Sequence, residues 1–178
     1  IEDGKVDGID IPLHPSERNL NISSMTAEAW VRAADPALAS GILLRRKVDE
    51  RIGFALGLDA GIPYVKYETS SSREIELRFD LATTIPAGEW THFAASWDAA
   101  ERKLQLVLNG VSVAERKFTA KDKDYAPVAG SSSFAIATPD SNNVWELDGV
   151  DLDELRIWTV ARSFREIDRD KQSKIQAG

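Results

Sequence analysis

The sequence predicts an all-β chain folded as two antiparallel sheets packed face to face. Three observations carry that expectation. Apolar residues alternate with polar ones or form short runs bounded by Gly, Asp and Asn, which is the period of a strand. The runs recur at roughly ten-residue spacing, as short strands of a sandwich do. Helical periodicity is absent before about the last fifteen residues.

In chain order, "MTAEAWVRA" sets Ala27, Ala29 and Val31 on one face and Glu28, Trp30 and Arg32 on the other. "RIGFALGLD" groups Phe54, Leu56 and Leu58, and "LDAG" marks a tight return. The strand pattern continues through Val65 and Tyr67 and then Ile75, Leu77 and Phe79. "EWTHFAASWD" alternates Phe93, Ala95 and Trp97 against His92, Ala94 and Ser96. In "KLQLVLNGVSVAERKF" Asn109-Gly110 supplies the two residues that tolerate positive φ in a type I′ turn, so a hairpin is expected. "SSSFAIAT" and "VDLDELRIW" add two more strands. The charged stretches "FTAKDKDYAPVAGSSS" and "RRKVDER" read as surface loops. Ser163 and Glu166 form a capping-box pair ahead of a short C-terminal helix, with Phe164 and Ile167 as its anchors. One domain is expected over residues 1–170, with residues 171–178 fraying.

Composition removes whole classes of function. With 22 basic and 29 acidic side chains, a net charge of -7 and no basic stripe, the chain lacks the footprint of a nucleic-acid binder. No apolar run is long enough for a membrane-spanning helix. The absence of Cys rules out disulfides, thiolate metal sites and cysteine catalysis, and His14 and His92 are the only imidazoles. His92 reads as a residue satisfied by a local hydrogen bond. A start at Ile1 without an initiator Met fits a mature chain or an excised domain.

The order of motifs resembles the LamG-like jelly-roll domains of the concanavalin A-like lectin and glucanase superfamily, which includes laminin G modules and pentraxins. The resemblance is carried by "DGKVDGIDIP" from Asp3 to Pro12, by Thr26, Glu28, Trp30 and Val31, and by Gly88, Trp90, Thr91 and His92 followed by Trp97-Asp98. It continues through Asn109-Gly110 and closes on Asp153 to Trp158 with Arg162-Ser163. At Gly8 the chain departs from the many relatives that carry an aromatic residue there. The resemblance implies an antiparallel jelly roll, used extracellularly or at the cell surface as a module within a larger protein. The function it implies is binding of a glycan or an extracellular protein, with interdomain or subunit assembly as the alternative and glycoside hydrolysis as a third reading.

The resemblance also implies that the last strand lies near the N-terminal segment, with a structural calcium between them. Calcium takes six to eight hard oxygens, and the candidates are Asp148, Asp151 and Asp153 with Asp3 and Asp7. Asp153 shares the parity of Leu155 and Ile157, so its carboxylate is expected to face the core. There it needs either a cation or donors such as backbone N–H groups or an Arg. "ELDGVD", from Glu146 to Asp151, resembles the Glu-x-Asp-x-x-Glu of retaining glucanases. Its last acid is the shorter Asp, and it runs straight into the terminal strand, which sets it apart from a mid-sheet catalytic pair. Trp30, Trp90, Trp97 and Trp158 sit in strand patterns and read as core or core edge. Trp145 follows the polar turn "ATPDSNN" and reads as an exposed indole. With Asp140, Asn142, Asn143 and Tyr125 it forms the candidate ligand-binding edge.

Overall fold

The computed structural model describes residues 9–11, 23–49, 51–80, 84–130, 132–138 and 149–173. Its strands are β1 (Ile9–Ile11), β2 (Met25–Ala33), β3 (Gly41–Val48), β4 (Arg51–Asp59), β5 (Ile62–Glu68) and β6 (Glu74–Arg78). They continue with β7 (Thr91–Asp98), β8 (Lys103–Leu108), β9 (Val111–Lys117), β10 (Ser132–Thr138) and β11 (Val150–Trp158), and helix α1 spans Phe164–Asp170. A six-stranded antiparallel sheet runs β1-β10-β3-β4-β5-β6, and a five-stranded one runs β11-β2-β7-β8-β9. The chain changes sheet repeatedly, and its early strands pair with its late ones. The expected all-β jelly-roll sandwich with a short C-terminal helix is the observed fold.

Between the sheets lie the residues that the alternation selected. Ala27, Ala29 and Val31 of β2 and Phe93, Ala95 and Trp97 of β7 pack against Phe54, Leu56 and Leu58 of β4 and Val65 and Tyr67 of β5. Alanines on β2 leave room for the large rings opposite, and Tyr67 and Trp97 meet with ring centroids 5.7 Å apart. The Asn109-Gly110 hairpin forms as expected, with φ of 50° and 84° and Leu108 facing Val111.

Two expectations need correction. The stretch "RRKVDER" is not a loop: Arg45 to Val48 completes β3, Asp49 turns at φ 52°, and Arg51 begins β4. Its charges are compatible with a strand because Arg45 and Lys47 alternate with buried Leu44, Arg46 and Val48. After α1 the carbonyls of Lys171 and Ser173 accept hydrogen bonds from Trp30 Nε1 (3.1 Å) and Arg156 Nη2 (2.7 Å), and the rest of the tail expected to fray lies outside the described residues. Of the two expected helix anchors only Ile167 is buried, beside Ala94 and Val107, while Phe164 is exposed.

The charged loop from Thr119 to Gly130 is pinned at several points. Phe118 and Val128 are buried, and the Val128 amide donates to Glu68 O. The Asp124 carboxylate accepts from the hydroxyls of Ser71, Thr69 and Ser70, which hold it down at about 2.

Candidate functional site: a tryptophan cleft at the rim of the five-stranded sheet

The outer face of the five-stranded sheet carries Glu28, Trp30 and Arg32 of β2 beside His92, Ala94 and Ser96 of β7. Helix α1 lies across part of it. Glu28 is fully buried there, and its Oε1 accepts from Trp158 Nε1 at 2.7 Å and lies 3.5 Å from Arg162 Nη1 and 3.8 Å from Arg156 Nη1. His92 Nε2 is 3.4 Å from Glu28 Oε2, an ion-pair distance outside hydrogen-bond geometry. Burial works to raise the Glu28 carboxyl, but the polar contacts with His92 and Trp158 and the charge of Arg162 more than offset it, so the group sits below its ordinary value.

The same arginines hold the end of the chain. Arg162 Nη2 pairs with Asp170, and Arg156 Nη1 donates to the Asp170 carbonyl at 2.9 Å. Ser163 and Glu166 form the expected capping box. Lys171 pairs with Asp168 and donates to the Asn109 carbonyl at 2.9 Å, which ties the turn after α1 to the β8–β9 hairpin. This buried network places the segment from Lys171 to Gln172 along one side of β2.

Between that segment and the edge strand opens a cleft of about 330 Å³ lined by Trp30, Trp90, Asp153, Glu154, Lys171 and Gln172. A β-bulge shapes it. The β11–β2 register shifts between Asp153 and Arg156, and Glu154 adopts φ 48°. Trp90 enters from a turn in which Gly88, at φ 71°, donates its amide to the Ala33 carbonyl at 2.8 Å. Its indole is 40% exposed, with the Arg32 guanidinium 4.8 Å from the ring centroid. Arg32 is itself fixed by Asp151, whose Oδ2 accepts from Nη2 at 2.7 Å and from Nε at 2.9 Å.

The bulge also corrects the orientation expected of Asp153. Val150 and Leu152 pack toward the core before it, and Leu155 and Ile157 after it, so the parity changes between them. Asp153 is therefore exposed, and its Oδ1 accepts the Glu154 amide at 2.8 Å. The carboxylate meets a backbone donor, one of the two alternatives open for it, but at the surface. Asp151 is exposed too, and a cation there would have to displace Arg32. Among the described residues no three His, Asp or Glu side chains converge as a metal shell. Asp3, Asp7 and Asp148 lie outside the described residues, as do Asp140, Asn142, Asn143, Trp145 and Glu146.

Tyr125 is half-buried, stacked on Phe118 at 5.4 Å and 6.1 Å from Trp97, so its ring packs against the core, while the other residues of the expected ligand edge lie outside the described residues. Trp97 is core, as expected, whereas Trp30 and Trp158 are half-buried on the outer face of the five-stranded sheet. Trp90 departs from the core too and joins Trp30 as a cleft wall. Its parity with His92 and Ala94, opposite to Phe93 and Ala95, was the available signal. His92 is buried, with its ring 5.2 Å from that of Trp30.

A laminin G family model, described as concanavalin A-like lectin/glucanases superfamily, matches residues 3–168. The chain belongs to that superfamily. No curated protein matches the sequence. Among solved structures, this concanavalin A-like domain is similar to a native heptameric SAP-like pentraxin from Limulus polyphemus, at 12% identity and a TM-score of 0.61 over 83% of this chain and 69% of that one. It is also similar to the binding domain of Paraclostridial Mosquitocidal Protein 1, at 15% identity and a TM-score of 0.67 over 93% of this chain and 41% of that one. For the botulinum neurotoxin serotype D binding domain the identity is 13% and the TM-score 0.67, over 95% of this chain and 42% of that one. The concanavalin A-like domain thus spans about two fifths of each toxin binding domain, and at these identities the likeness is one of fold.

Proposed function

We propose that the chain is a non-catalytic binding module that holds a glycan in the Trp30–Trp90 cleft, as one domain of a larger secreted or cell-surface protein. The observation that carries this reading is an exposed indole set beside carboxylates and a carboxamide around one cleft. Sugars offer an apolar C–H face and a rim of hydroxyls, so a ring that stacks and acceptors that fix orientation are the complementary set. Membership of a superfamily that includes lectins supports it, as do structural relatives that are a pentraxin and a toxin binding domain.

Absence of catalysis is part of the proposal. Retaining hydrolysis needs two carboxyl groups about 5.5 Å apart that face one bond. Here Asp151 is engaged by Arg32 and Glu154 by Arg156, which suits anchoring better than proton transfer. The assembly reading draws on the exposed Val160 and Phe164 at the approach to α1, and on the heptamer named for the pentraxin relative. A structural calcium remains a proposal whose candidate ligands are Asp153, Asp151, Asp148, Asp3 and Asp7.

A glycan array probed with the wild type and with Trp90→Ala tests the reading. Specific binding that the variant loses, at an unchanged melting temperature, is expected. Binding that survives Trp90→Ala would move the site elsewhere. No glycan binding, together with concentration-dependent self-association, would replace the proposal with assembly.

A further inference from the structure

We infer that the cleft selects an amine-bearing sugar, with the protonated nitrogen against Asp153 and the ring on the indole of Trp90. This rests on the glycan reading and adds a charge to the ligand. Every other charged group at the cleft has a counter-ion. Arg32 is paired with Asp151 at 2.7 Å, Glu154 with Arg156, and Lys171 with Asp168. Asp153 has none among the described residues, and its only hydrogen bond is the Glu154 amide on Oδ1. Its second oxygen carries an uncompensated charge at the mouth of a cleft walled by two indoles. One ammonium group of the ligand placed at Asp153 completes that balance, while an anionic sugar would meet repulsion.

Trp90 decides what the rest of the ligand looks like. Its π-system already has the Arg32 guanidinium 4.8 Å from the ring centroid, so the negative potential that would attract a second cation is in use. What remains attractive on the indole is its apolar surface, which suits the C–H face of a sugar ring. The ammonium belongs at Asp153, and Gln172 and Glu154 are placed to take ring hydroxyls. A lysine side chain would satisfy Asp153 alone and leave these groups without partners.

The test compares tetramers of glucosamine, N-acetylglucosamine and glucose, with a tetralysine peptide as a fourth probe, by titration calorimetry on the wild type, Asp153→Asn and Trp90→Ala. Asn at position 153 keeps an acceptor for the Glu154 amide, and both variants should melt with the wild type. The expected result is that the glucosamine tetramer binds about tenfold tighter than the other two sugars, that added salt narrows the gap, and that Asp153→Asn erases it. Trp90→Ala should weaken all three sugars. Equal or tighter binding of the acetylated or neutral tetramer would overturn the amine preference and leave the glycan reading standing. Binding of no sugar would remove both. Tetralysine bound as tightly as glucosamine, with the same dependence on Asp153, would overturn the sugar in favour of a protein ligand.

Discussion

Glu28 shows how a single residue can look catalytic and be structural. It is a fully buried carboxylate beside an imidazole, yet Trp158, Arg156 and Arg162 surround it and it is not among the residues that line the cleft. Removing it takes from two buried arginines the carboxylate they share, although Arg162 keeps Asp170 and Arg156 keeps Glu154, so Glu28→Ala should cost about 3 kcal/mol in urea unfolding, the lower end of the range for a broken buried ion pair. Because the fold lowers the carboxyl below its ordinary 4.5, it favours the ionised form. The contribution is therefore complete above that pH and is lost as the pH falls through the folded value. The stability gap between the wild type and Glu28→Gln should narrow as unfolding is measured from pH 7 down to pH 3. A gap independent of pH would mean that packing, and not charge, sets the residue's worth.

At the scale of elements, the β8–β9 hairpin and α1 stabilise each other. Gly110 sits at φ 84°, and a Cβ there would run into the Asp168 carboxylate. Gly110→Ala should cost about 1–2 kcal/mol and speed amide exchange in α1, a helix to which that residue does not belong. Exchange changes confined to the hairpin would show that the two move separately. Strand and turn residues of this kind were legible in the sequence, because alternation and Asn-Gly are local signals, as was the Ser163 cap. The bulge at Asp153–Glu154 was not legible. Nothing near Glu154 in sequence announces its φ of 48°, and parity carried back from Leu155 turned Asp153 the wrong way. Arg45 to Val48 misled for the converse reason, since three consecutive basic residues suggest a loop, whereas Arg46 is buried in the strand between half-buried Arg45 and Lys47. The cleft itself joins residues from β2, the entry to β7, β11 and the turn after α1, so no window of sequence contained it.

For the molecule as a whole, a calcium held only in the folded state would act on global stability. At a hundred times its dissociation constant it adds about 2.7 kcal/mol. For a domain of this size that corresponds to roughly 5–10 °C between melts in chelator and in millimolar calcium. Coincident melts would remove the calcium proposal. The sheet order has a further consequence, which concerns time. A ribosome delivers β2 early, but its neighbour β11 comes from the far end of the chain: Arg32 waits for Asp151 across 119 residues, and Glu28 for Trp158 across 130. Pairing across such separations is slow, and it cannot begin during synthesis until the last strand has emerged. The core between the hairpins can condense first, around β3 to β5 and β7 to β9, whose contacts are local in the chain. The cleft takes shape only after β11 and α1 arrive, so a nascent chain can offer the proposed ligand site only once those two elements have docked.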